Sequence, residues 1–159
     1  MTSAPTIVSV QKTGTAQGSV AQAAPHDNPL ALDLDERAVF YPAGKGITRI
    51  VISPERGGLA FDAVYAFNKT HTSPRIMWLS LDDARTFGRC LVDSVYQARP
   101  QNAITGTMRI GITVHTNGFH IDINDADRPV ELFIGLNSIW RFALLVLRAV
   151  DRVAPIEAH

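Results

Sequence analysis

Between Met108 and Asn124 apolar and polar residues alternate on both sides of an Asn117-Gly118 pair. Met108, Ile110, Ile112 and Val114 share one face of an extended segment, and Arg109, Thr113 and His115 share the other. Side chains on a strand point to opposite faces in turn, so this pattern describes a strand with one buried side. Asn and Gly both tolerate positive φ, which a two-residue hairpin turn requires, so the chain doubles back there. Phe119, Ile121 and Ile123 continue the buried face, leaving His120, Asp122 and Asn124 outside. Such a hairpin belongs to an antiparallel sheet with one covered face.

Two helical patterns supply the cover. Leu81, Ala84, Phe87, Leu91 and Val95 recur at helical spacing and predict a helix from about Asp82 to Ala98. Ser80 or Asp82 can cap it, Asp82 and Asp83 suit the positive end of its dipole, and Pro100 ends it. A second helix is expected from a cap at Asn137 or Ser138 to about Val153. Strands are expected before the first helix at Ala38–Tyr41, Ile47–Ser53, Leu59–Phe67 and Ile76–Leu81. Strands at Met108–His115, Phe119–Asn124 and Val130–Leu136 precede the second, and its half lacks a clear first strand.

The two halves align with one five-residue gap. Arg49-Ile50 falls on Arg109-Ile110, Gly58 on Gly118, Asp62 on Asp122 and Trp78 on Phe133. Leu81 falls on Leu136, Phe87 on Phe142 and Val95 on Val150. The shared order predicts an α+β fold of two repeated antiparallel β-sheet units, each followed by a helix packed on one face. Residues 1–29 are rich in small and polar residues and predict a flexible tail. Residues 30–153 form the expected domain, with unit one at about 38–98 and unit two at about 107–153, and 154–159 make a C-terminal tail.

Charge and cysteine content narrow the function. Lys+Arg and Asp+Glu are both 15, so the chain has no overall charge to draw it to nucleic acid. Cys90 is the single cysteine, which leaves no intrachain disulfide and no cysteine-based zinc site. No secretory signal pattern opens the sequence, and Arg141 and Arg148 interrupt its longest apolar stretch, so a cytoplasmic protein (or one of a host cytoplasm, if viral) is expected, with no membrane. No G-x-S-x-G, H-E-x-x-H or phosphate-binding loop is present, and neither an enzyme, a cofactor nor a metal is expected.

The local distribution is uneven. Residues 37–75 carry Arg37, Lys45, Arg49, Arg56, Lys69 and Arg75 against Glu55 and Asp62. The same region and the next strand hold Phe40, Tyr41, Phe61, Tyr65, Phe67 and Trp78. Cations along a groove attract phosphates and ring faces stack on unpaired bases, so the expected ligand is single-stranded DNA, with RNA as an alternative. Lys45, Arg49, Arg56, Lys69, Arg75 and Arg109 are the expected phosphate contacts, and Tyr65, Phe67 and Trp78 the expected stacking rings.

The stretch Leu59-Ala60-Phe61-Asp62-Ala63-Val64-Tyr65-Ala66-Phe67, a polar loop, and then Arg75-Ile76-Met77-Trp78-Leu79-Ser80-Leu81-Asp82-Asp83-Ala84-Arg85-Thr86-Phe87 resembles a known pattern. It is similar to the long strand, basic loop, short strand ending in Ser-Leu and acid-capped helix of the Whirly family and the positive-cofactor transcription coactivators. The PUR domains share a similar repeat plan. The resemblance implies sequence-tolerant single-strand binding across the sheets, assembly through helices, and a transcription or replication role beside an RNA polymerase, as in small phage cofactors. Asp122, Asp125, Asp127 and Glu131 depart from it, because acids do not suit a phosphate track.

A rival reading starts from the second helix. Ile139 to Leu147 is apolar nearly all round apart from Arg141, and a chain of 159 residues rarely covers such a helix alone. Ile139, Trp140, Leu144 and Leu147 are therefore expected at a homo-oligomer interface, a dimer or tetramer. On this rival reading the protein is a protein–protein adaptor or assembly subunit without nucleic-acid binding. A third reading places a His/Asp site at His115, His120 and Asp122, although solvated strand residues account for the same pattern.

Overall fold

The structure, a computed structural model, describes residues 29–41, 45–66, 74–106, 108–125 and 128–155. The expected N-terminal tail therefore lies outside the described residues, except for Pro29. Four strands come first: β1 (Leu30–Tyr41), β2 (Lys45–Glu55), β3 (Gly58–Tyr65) and β4 (Arg75–Ser80). Helix α1 (Leu81–Gln97) follows them. Then come β5 (Gln101–Thr105), β6 (Met108–His115), β7 (Gly118–Asp125), β8 (Arg128–Gly135) and α2 (Leu136–Val153).

The strands form one antiparallel sheet in the order β4-β3-β2-β1-β8-β7-β6-β5. The expectation of separate sheet units is corrected: Val39, Phe40 and Tyr41 on β1 pair with Phe133, Leu132 and Glu131 on β8 and join the halves edge to edge. The α+β class stands, with one large antiparallel sheet and two helices.

Register sorts the side chains. Ile50 and Ile52 on β2 sit opposite Ala63 and Phe61 on β3, and Leu59 and Phe61 opposite Leu79 and Met77 on β4. Directly opposed residues share a face, and here that face is the core. The Phe61 ring meets Phe87 of α1 edge-on at 6.2 Å, and Phe87 meets Phe142 of α2 at 6.1 Å. Both helices therefore cover the same side of the sheet. They cross closely at Gly88, where a Cβ would lie 2.8 Å from Leu147 Cδ2.

Helix α1 starts as its sequence directs. Ser80 Oγ accepts from the Asp83 amide at 3.2 Å and donates to Asp83 Oδ2 at 2.6 Å. Helix α2 differs from expectation. Its N-cap is Gly135, with no side-chain cap, and the Leu136 amide donates to the Asn117 carbonyl at 3.3 Å. Ser138 instead turns inward and is buried.

Two strands run beyond their sequence signals. β1 begins at Leu30, eight residues before the expected Ala38, through a charged stretch that a bulge between Asp33 and Ala38 accommodates. β5 carries no clear sequence signal, because Gln101, Asn102 and Thr105 dilute its apolar pattern; it is an edge strand paired only to β6. Among the described residues no helix is long and apolar enough to cross a membrane.

Candidate functional site

The face of the sheet turned away from the helices carries the residues expected to bind nucleic acid. On β2 and β1, Arg49 Nε donates to Asp33 Oδ1 at 2.5 Å, a pair set directly across the two strands. On β4, Arg75 donates to Asp62 Oδ1 at 3.1 Å and to Glu55 Oε2 at 2.6 Å. These carboxylates raise the pKa of both guanidiniums and hold them charged, chiefly through the side-chain hydrogen bonds. Arg56, in the β2–β3 turn, stands 3.8 Å from Glu55 and is otherwise open to solvent. Arg109 is exposed on β6, in the other half of the sheet.

The rings do not line up with these cations. Tyr65 continues the Leu59–Phe61–Ala63 face of β3 and packs against the core, and that burial raises its phenol pKa. Trp78 does face outward, 42% exposed, with its indole N–H donating to the Glu55 carbonyl at 3.0 Å. Phe67 and Lys69 lie outside the described residues, and the Lys45 side chain is not described.

No protein-family model matches the sequence, and no curated protein matches it. Among solved structures it is similar to SsgB, whose mutations correlate to longitudinal cell division during sporulation of Streptomyces coelicolor. That likeness covers 84% of this chain and 95% of SsgB at 9% identity, with a TM-score of 0.44. Outer surface protein E aligns over 89% of this chain and 99% of its own at 11% identity, with a TM-score of 0.43. An SsgA-like sporulation-specific cell division protein from Thermobifida fusca aligns over 84% and 88% at 7% identity, with a TM-score of 0.44. At these identities and scores the likeness lends this chain neither residues nor an activity.

The expectation of a single-stranded-DNA-binding transcription or replication cofactor is overturned. Two of the three solved structures are of sporulation cell division proteins. The surface itself disagrees with a phosphate track. Arg49 and Arg75 are already neutralised by Asp33, Glu55 and Asp62, and Tyr65 belongs to the opposite face. Asp122 and Glu131 stand directly across β7 and β8 on the same outer face as the arginines. Phosphates laid across this sheet would have to break ion pairs and then pass two further carboxylates.

Helix α2 presents a different surface. Ile139 is 2% exposed and belongs to the core, so its expected interface role is corrected. Leu136 and Trp140 are 50% and 43% exposed, and the half-buried Leu144 and Leu147 follow at helical spacing. Leu147 spends one side against Gly88 of α1. The exposed Arg148 and Asp151 border this stripe. On α1 the residues with the same spacing from the helix start are Leu81, Arg85, Arg89 and Val92, and the two arginines pair with Asp82 and Asp93. One helix thus wears a charged outer surface and the other an apolar one.

At the β6–β7 hairpin the rings of His115 and His120 come to 6.3 Å, as their positions on the flanking strands imply. The carboxylate nearest His120 is Glu131 of β8, with Oε2 3.7 Å from Nε2, rather than the expected Asp122. Among the described residues no three His, Cys, Asp or Glu side chains converge as placed to hold a metal.

Proposed function

We propose that this protein is an assembly subunit that works by binding protein, and that its first partner is a second copy of itself across α2. The observation that supports this most is the stripe of Leu136, Trp140, Leu144 and Leu147, with the first two 50% and 43% exposed. Large apolar side chains grouped on one helix face cost free energy in water, and a partner that covers them recovers roughly 25 cal/mol per Å². A twofold contact brings the same patch together twice, so its rim must carry both signs of charge. Arg148 and Asp151 supply them beside the stripe.

The same reading treats the two strand-and-helix halves as copies of one unit that diverged on the helix surface. Gly58 beneath Trp78 and Gly118 beneath Phe133 support it, as does the contact of Phe87 with Phe142. The copy carrying Trp140 and Leu144 keeps the assembly role, and the copy carrying Arg85 and Arg89 faces solvent.

Light scattering on the full chain tests the proposal. The expected mass is a whole multiple of the 17.3 kDa chain, and Trp140→Glu returns it to one chain with unchanged helix content. A single-chain mass at all concentrations, or an assembly indifferent to Trp140→Glu and Leu144→Glu together, overturns it.

A further inference from the structure

The outer face of β6, β7 and β8 holds an open depression of about 340 Å³, lined by His115, Asn117, His120, Glu131 and Phe133. Three of these can donate electron pairs to a metal, and they come from three adjacent strands. His120 sits on the central strand, directly opposite Phe133 and Thr113. His115 is two residues along β6 from Thr113, and Glu131 two residues along β8 from Phe133. Both therefore project from the same side of the sheet as His120.

We propose that His115, His120 and Glu131 form a site for a divalent transition ion of the zinc, nickel and copper class. Two imidazole nitrogens and one carboxylate oxygen select such ions and leave magnesium and calcium, which prefer all-oxygen shells, in solution. Metal bonds of about 2.0–2.1 Å place two tetrahedral ligand atoms about 3.3 Å apart. His120 Nε2 and Glu131 Oε2, at 3.7 Å, already stand near that separation. Two imidazoles on one such ion have ring centres about 5 Å apart. His115 and His120, at 6.3 Å, must close by about an ångström, so the three groups do not converge as placed. His115 makes up the difference by side-chain rotation, since it is exposed at the mouth of a hairpin.

The surroundings favour a cation. Asp122 faces Glu131 directly across the strands, a like-charge pair that costs free energy until a positive charge enters. The His115 ring also lies 6.3 Å from that of Phe133, which walls one side of the depression and restricts where the imidazole can turn. Water completes the shell on the open side. The site does not depend on the α2 contact, because its three ligands lie on the opposite side of the sheet from the helices.

Calorimetric titration of the full chain with zinc ion, with magnesium as the control, tests the site. One saturable zinc site in the micromolar range is expected, and none for magnesium. His115→Ala and His120→Ala each abolish it, Glu131→Gln weakens it about tenfold or more, and Asp122→Asn leaves a saturable site. Melting curves without zinc report whether the variants fold, and Trp140→Glu as background separates this result from assembly. No zinc binding by the folded wild type overturns the proposal, and so does binding that survives His115→Ala with His120→Ala.

Discussion

Gly58 lies against the indole of Trp78 so closely that a Cβ on residue 58 would stand 2.5 Å from ring Cζ2, with the Leu79 carbonyl oxygen nearer still. The same relationship joins Gly118 to Phe133, at 2.6 Å from ring Cζ. Both glycines open the second strand of a hairpin, and both are required by closeness of approach rather than by a positive φ. Gly58→Ala pushes the indole off the strand and breaks its bond to the Glu55 carbonyl. The expected loss of stability is about 1–3 kcal/mol by urea denaturation. In a Trp78→Ala background the same change costs less, because only the backbone contact remains.

Helix α1 closes at Ala98, whose φ of 50° and ψ of 43° place it in the left-handed region. Its N–H still donates to the Ser94 carbonyl, so the conformation is fixed by the helix end. A glycine adopts it without the Cβ penalty. Ala98→Gly is expected to raise stability by about 1 kcal/mol, read as a higher denaturation midpoint with an unchanged slope.

Ser138 is fully buried near the start of α2, and its Oγ has no hydrogen-bond partner among the described residues. A desolvated hydroxyl without a partner costs on the order of 1–3 kcal/mol. Ser138→Ala removes that cost and leaves the Gly135 cap untouched, so calorimetry is expected to show a higher melting temperature. A lower one would mean that the hydroxyl is satisfied.

Burial pushes the Cys90 thiol up, with Asp93 adding to the shift and Arg89 opposing it. The folded chain therefore keeps this proton at pH values where the unfolded chain has released it. The associated stability is fully present below the pKa of an unfolded-chain thiol, and it is lost as pH rises toward the folded value. Urea titrations at neutral and alkaline pH are expected to show that decline, and Cys90→Ser to remove its share.

The sheet was legible where one face is buried and local turn chemistry agrees. Asn117-Gly118 with its flanking alternation located β6 and β7, and Ser80 with Asp83 located the start of α1. Strand β1 was legible only from Ala38, because Asp33 and Asp35 break its pattern. Those charges are matched by Arg49 and Arg141, the latter more than a hundred residues along the chain, with its guanidinium 2.7 Å from Asp35 Oδ2. The DNA-binding expectation failed for the same reason. It counted Arg49 and Arg75 as free cations, while Asp33, Glu55 and Asp62 already held them.

By itself the sequence determined the antiparallel hairpins, the two helices and which residues of each strand are buried, since those follow from periodicity and turn conformations within a few neighbours. The joining of β1 to β8, the partner of each charge, the inward turn of Ile139 and the meeting of His115, His120 and Glu131 were decided by the tertiary structure alone. Each depends on which distant segments share a face. That choice is made by packing over the whole sheet, and no local pattern encodes it.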